Sequence, residues 1–145
     1  VALLGFRGKG INVEQRNGKV YVSMEAQLLF SSGSAEVDVE GQAALTELAA
    51  VVAEQSDLEI VVEGHTDTDK VSRTTTPKNN WELSVLRATA VVNILLANPG
   101  VDPSMLSASG RSEYHPVDPE DKSKNRRIEV ILAPNLDSLF ELISD

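Results

Sequence analysis

The sequence predicts an α/β (α+β) fold, a two-layer sandwich in which helices cover one face of a mixed β-sheet. Three observations lead to it. Asn17-Gly18 separates two strand-like runs and supplies the positive φ values of a tight hairpin turn. Residues 58–64 alternate, with Leu58, Ile60 and Val62 on one face and Glu59, Val61 and Glu63 on the other. Two helical stripes, one over residues 39–53 and one beginning near Asn80, repeat apolar side chains every three to four positions.

The elements follow in order as a hairpin, then α, β, α, β, β and a terminal α. Residues 11–16 and 19–25 form the hairpin arms, and Val20, Val22 and Met24 alternate with Tyr21 and Ser23 as in a half-buried strand. Leu28-Leu29-Phe30 leads into a small-residue loop, Ser31-Ser32-Gly33-Ser34. Leu45, Leu48, Ala49 and Val52 mark the first helix, for which Asp38 is the N-cap candidate. The stretch 68–78, rich in Thr, Ser and Lys and containing Pro77, reads as an exposed loop. Asn79 and Glu82 have the spacing of a capping box for the second helix. That helix turns Leu83, Ala88, Val91, Val92 and Leu95 inward and stops before Asn98-Pro99-Gly100. Short strands follow at 106–110 and 127–132, and Leu136, Leu139, Phe140 and Ile143 form a last helical stripe. Residues 1–19 are thus a lead-in with the first hairpin strand, 20–133 the folded domain, and 134–145 a helical tail.

At 145 residues the chain can bury a full core without staples. No apolar run reaches the roughly 18 residues of a membrane span. A net charge of −9 argues against a general nucleic-acid binder, which needs a basic face for the phosphates. There is no cysteine, so disulfides, thiolate metal sites and Cys nucleophiles are excluded within the segment. The opening Val1-Ala2-Leu3-Leu4-Gly5 has neither Met nor a charged leader and reads as the cut edge of a longer precursor, any membrane anchor lying outside.

One acid and one base stand out. Arg87 has Leu83, Ser84, Ala90 and Val91 as helical neighbours, so it borders the apolar stripe, where a guanidinium is costly unless a carboxylate satisfies it. Two readings stay open: an internal pair with Asp67 or Glu82, or a bidentate grip on a ligand carboxylate. Asp67 follows a buried strand, where clefts open in α/β sheets, with Asp69 as a rival and Thr66 as a neighbouring hydroxyl. Alternation sets Arg126 on the face of Ile128, Val130 and Leu132, either as a solvated strand end or as a support for Asp67. His65 and His115 fit no metal-ligand spacing, and no motif calls for a cofactor. Ser34 and Ser84 lack a nucleophile elbow, and Trp81 reads as a packing anchor.

Together, Phe30-Ser31-Ser32-Gly33-Ser34, Gly64-His65-Thr66-Asp67, Asn80-Trp81-Glu82-Leu83-Ser84 with Arg87-Ala88, Ser109-Gly110-Arg111-Ser112-Glu113 and Asn125-Arg126-Arg127-Ile128-Glu129 resemble the OmpA-like peptidoglycan-binding domain of OmpA, Pal and MotB. The long stretch between Asp67 and Asn80 is similar to the MotB type. The resemblance implies a non-catalytic, periplasm-facing module on the envelope or outer membrane of a Gram-negative bacterium. Its partner would be peptidoglycan, and a homodimer is compatible with it. Asp67 would take the side-chain ammonium of the stem's diaminopimelate and Arg87 its carboxylate. Thr66, Ser34 and Arg126, with main-chain groups around Gly33 and Asn80, would complete the pocket. A flagellar-stator wall anchor is the alternative, and a wall-fragment hydrolase using Asp67, His65 or His115 a third.

Overall fold

The computed structural model describes residues 10–134 and Ile143. Strands β1 (Ile11–Arg16) and β2 (Lys19–Glu25) form the expected hairpin, with Asn17 at φ 52° and Gly18 at φ 76° in its turn. Strands β3 (Leu58–His65), β4 (Leu106–Gly110) and β5 (Arg127–Pro134) complete one sheet of order β1-β2-β5-β3-β4. Only β3 and β4 run parallel among these pairs; the other neighbours are antiparallel. The predicted mixed sheet with helices on one face is therefore the observed architecture.

Helices α2 (Val39–Ala53) and α3 (Asn80–Leu96) lie over the sheet, preceded by a four-residue helix α1 (Ala26–Leu29) and followed by another, α4 (Lys122–Asn125). Between sheet and helices sits a core of Met24, Leu45, Leu48, Ile60, Val62, Val91, Leu95, Ile128 and Val130, all essentially inaccessible. Such side chains each contribute about 1.5–3 kcal/mol by leaving water. Val92, expected inward, is only half-buried at the edge of this core. Leu136, Leu139 and Phe140 of the expected terminal stripe lie outside the described residues, as do residues 1–9 of the lead-in.

Caps set both long helices. The Asp38 side chain accepts from the Gly41 amide at 3.0 Å, and that of Asn79 accepts from the Glu82 amide at 2.9 Å. The expected capping box is only half realised: Glu82 Oε1 accepts from the Lys78 amide at 2.9 Å, one residue before the cap. Asn79→Ala should lower stability by about 1 kcal/mol, since the first-turn amide of α3 loses its acceptor. A chemical-denaturation midpoint shifted down at unchanged slope would register it, and an unshifted midpoint would show the cap to be idle.

The topology gathers the singled-out residues at one end of the sheet. In the β3–β5 ladder His65 pairs with Arg127, so the chain leaving β3 toward Asp67 passes the residue that precedes β5, Arg126. The loop after α1 is pinned at its neck by a bridge between Phe30 and Val37 and by the Asp38 amide donating to Leu29 O at 2.8 Å. Between these anchors the chain folds back on itself, the Ser34 amide donating to Ser31 O at 3.0 Å. This loop, the 68–79 loop and the start of α3 surround one cavity.

Candidate functional site

The cavity has a volume of about 490 Å³. Asp67, Thr66, Asn80, Arg87, Arg126 and Gly33 all line it, so six of the seven predicted site residues meet there. Ser34 does not; it faces the adjoining depression, and its carbonyl holds Arg87 from behind.

Arg87 is 4 % exposed, and its internal partner is neither Asp67 nor Glu82. Its Nε donates to Ser34 O at 2.8 Å and a terminal nitrogen reaches Ser31 O at 3.4 Å, while the guanidinium carbon stands 4.8 Å from the Phe30 ring centre. Among the described residues no carboxylate pairs with it within 4.0 Å. Two carbonyls and a ring face thus orient the cation without neutralising it. Burial, and next the nearby Arg126, push its pKa down from the ordinary arginine value to about 10, against the pull of Asp67. It remains charged at neutral pH, and an incoming anion would offset part of the burial penalty.

Asp67, 5 % exposed, is matched instead to Arg126, whose terminal nitrogen donates to Asp67 Oδ2 at 2.7 Å. The other oxygen accepts from the Asp69 amide at 2.9 Å. An ionised carboxylate has about four acceptor sites, so these two bonds leave capacity for another donor. Arg126 supports Asp67, as one of its two sequence readings had it; it stands at the end of α4 just before β5 rather than within the strand. Asp69 is separated from its rival by exposure: its carboxylate pairs with Lys122 at 2.6 Å on the surface, and that bond lowers its pKa.

Thr66 is fixed on both sides, its amide donating to Ser112 O at 2.8 Å and its hydroxyl to Asp67 O at 2.9 Å. Asn80 Nδ2 donates to Asp69 O at 3.1 Å and more weakly to Asp67 O at 3.4 Å, tying α3 to the loop beyond β3. Asn80 Oδ1 is buried with no partner among the described residues. Gly33 has φ 71°, in the region that L side chains avoid, and its carbonyl accepts from Arg73 at 3.3 Å.

Sequence reasoning missed Arg73 and Phe30 as parts of this site. Arg73 sits in a loop without periodicity, and its reach to Gly33 spans forty positions, which no local pattern reveals. Trp81, expected to be a packing anchor, is half-exposed, with its ring centre 5.6 Å from that of Tyr114. His65 and His115 meet edge to face at 6.1 Å, and no group of three potential metal ligands occurs among the described residues.

On the opposite face of the sheet a polar chain steadies the strands. Arg127 Nε donates to Glu129 at 2.7 Å, and a terminal nitrogen donates to His115 O at 3.0 Å, holding the loop before α4. His65 Nε2 lies 3.3 Å from Glu63, which Arg111 approaches at 3.4 Å. The His65 hydrogen bond, opposed by desolvation and assisted by Arg111, holds Glu63 below its ordinary pKa of 4.5. A folded-state pKa below the unfolded one stabilises above the unfolded value and is lost as pH falls through the folded one. Glu63→Gln should therefore lower stability at pH 7 by roughly 0.5–1 kcal/mol, allowing for solvent screening. The gap to wild type should begin to narrow as pH falls below about 4.5 and vanish once the folded-state carboxylate is protonated. Melting curves at pH 7 and pH 3.5 test this, and an equal gap at both would refute it.

The fold is an α/β sandwich of a mixed five-stranded sheet with a polar cleft beyond the carboxyl end of its strand β3. The chain belongs to the OmpA family, whose model matches residues 29–129. It is 32 % identical over 117 residues to Motility protein B of Bacillus subtilis, covering 78 % of this chain and 44 % of that one. It is 31 % identical over 132 residues to the probable lipoprotein YiaD of Escherichia coli, covering 88 % and 58 % respectively. The chain thus spans about half the length of the curated relatives it matches. Among solved structures, the periplasmic domain of Helicobacter pylori MotB superposes with a TM-score of 0.82 at 26 % identity, over 95 % of this chain and 88 % of that one. The cell wall anchor of the T6SS from Pseudomonas aeruginosa gives 0.81 at 30 % identity, over 92 % and 94 %.

Proposed function

We propose that this domain is a non-catalytic anchor that ties an envelope protein to peptidoglycan by holding the diaminopimelate of a stem peptide. The observation that carries the reading is Arg87, a buried cation oriented by carbonyls but matched to no carboxylate among the described residues, on the wall of a cavity it shares with Asp67. A free diaminopimelate end offers one carboxylate and one ammonium, the complement of that pair. The carboxylate would take the Arg87 fork, and the ammonium would donate to Asp67 and to the main chain around Gly33 and Asn80. Thr66 would shape the floor, while Ser34 and Arg126 would act through Arg87 and Asp67 respectively. Residues 20–133 would suffice as the binding unit.

Membership of the OmpA family and likeness to a structure described as a cell wall anchor support wall attachment. Likeness to periplasmic domains supports a periplasm-facing location at the outer membrane or elsewhere in the envelope. Charge-assisted bonds contribute roughly 1.5–3 kcal/mol each, so two of them with a few neutral contacts give micromolar to millimolar affinity. Many copies on one polymer make that sufficient. Likeness to Motility protein B favours a second reading, a stator-type wall anchor, which an upstream membrane helix bearing an acid would establish.

Calorimetric titration with a stem peptide carrying meso-diaminopimelate, with the same peptide carrying lysine at that position as control, tests the pocket. Within the peptide the lysine side chain ends in an ammonium alone, lacks the carboxylate assigned to Arg87 and should bind at least tenfold more weakly. Asp67→Asn should weaken the diaminopimelate signal by a similar factor, since it removes the charge facing the ammonium and breaks the Arg126 pair. Equal binding of both ligands, or silence with diaminopimelate and with larger stem fragments, would refute the reading.

A further inference from the structure

The cavity carries more positive charge than a single zwitterionic end requires. Its wall includes four cations, Lys70, Arg73, Arg87 and Arg126, and two acids, Asp67 and Asp69, an excess of two in a chain of net charge −9. Asp67 pairs with Arg126 and keeps its remaining acceptor capacity for the ligand ammonium, and Asp69 pairs with Lys122 from outside the wall, so neither pairs with Lys70 or Arg73. A bound zwitterion adds no net charge and leaves the excess in place. Space points the same way: about 490 Å³ lies in the range of roughly 300–1,000 Å³ that accommodates drug-sized ligands, and one amino-acid end would fill it only in part.

Arg73 is the cation in position to use that space. Its guanidinium crosses from the 68–79 loop to Gly33 on the opposite wall, donating to the Gly33 carbonyl at 3.3 Å. A side chain at position 33 would place its Cβ 2.5 Å from Arg73 Nη2, so the absence of one is what lets the guanidinium settle there. Arg73 and Gly33 line both the cavity and the neighbouring depression toward Pro77 and Leu86. A peptide leaving the cavity on that side passes the guanidinium, which retains donors beyond the single bond to Gly33.

We propose that Arg73 is a second carboxylate subsite, selecting a stem in which the residue joined to the α-amino group of the diamino acid carries a free acid rather than an amide. This rests on the diaminopimelate reading above and adds the preceding residue to the recognised unit. A planar guanidinium accepts a carboxylate in two parallel bonds, whereas a carboxamide brings no charge and its NH₂ faces Arg73 as a second donor.

Three probes test it by calorimetry at low salt: meso-diaminopimelate, γ-D-glutamyl-meso-diaminopimelate with a free α-carboxylate, and the same dipeptide as its α-carboxamide. The acid form should bind wild type about tenfold more tightly than the carboxamide, and Arg73→Gln should bring that ratio close to one. Arg73 is exposed, so its replacement leaves the core intact, which a melting curve verifies. Equal affinity of the two dipeptides, or a ratio that survives Arg73→Gln, overturns the second subsite while diaminopimelate binding keeps the first. Silence of wild type with all three probes overturns both.

Discussion

Arg87→Ala is expected to reduce diaminopimelate binding by one to two powers of ten, the equivalent of one charge-assisted, two-pronged contact of about 1.5–3 kcal/mol. Arg87→Lys should fall close to the alanine variant rather than to wild type. Lysine restores a charge but has no fork with which to hold Ser34 O and Ser31 O while presenting donors to the cavity. The effect on folding is smaller because two terms oppose. Truncation removes a cation whose burial already depresses its pKa to about 10, and it also strips two carbonyls of their donor. Binding should therefore collapse in a variant whose melting temperature moves by only a few degrees. Titration and melting on one sample decide the matter. Affinity kept within threefold of wild type would make Arg87 a strut for the Ser31–Ser34 loop and nothing more.

The α/β sandwich was readable because its elements are long and periodic: the Asn17-Gly18 hairpin, the alternation in β3 and the stripes of α2 and α3 all recur in the structure. The four-residue helices α1 and α4 were not, since neither completes enough turns to show a 3.6-residue period. Within the site, Arg87 was conspicuous as a guanidinium beside an apolar stripe, but its partners were not. Spacing proposed a carboxylate, whereas the fold supplies carbonyls more than fifty positions away. Asp67 could be located at a strand end, yet its bond to Arg126 depends on the β3–β5 register, which exists only once the sheet is assembled. Arg73 had no signal at all, because a polar residue in a polar loop looks the same whether it caps a cavity or points into water.

Gly64→Ala should have the largest effect on stability, and it should reach the site without touching it. Gly64 pairs with Gly110 across β3 and β4, and the two face the Ser84–Val85 segment of α3. A Cβ on Gly64 would lie 2.1 Å from the Ser84 carbonyl oxygen and 2.8 Å from its carbon, both backbone atoms of a helix that has no room to yield. Relief requires α3 to lift from the sheet. Overpacking commonly costs 1–3 kcal/mol, and a clash with backbone on both sides belongs at or above about 3 kcal/mol, a melting-temperature loss on the order of 10 °C. Gly110→Ala meets Ser84 Oγ and Val85 Cγ2 at 2.5 Å and the Val85 amide nitrogen at 2.7 Å. Two of those three atoms end side chains that can rotate, so its cost should be the lesser. The same lift breaks the bond from the Ser112 amide to Ser84 Oγ, and Ser112 O is what fixes the Thr66 amide beside Asp67. Arg87 lies three residues beyond Ser84, about 4.5 Å along the helix, and would move with it. Gly64→Ala should therefore lose binding even at temperatures where it remains folded. A Gly64→Ala protein that melts with wild type would show that the glycine pair does not seat α3. One that melts early yet binds normally would show that Arg87 is positioned by the Ser31–Ser34 carbonyls alone.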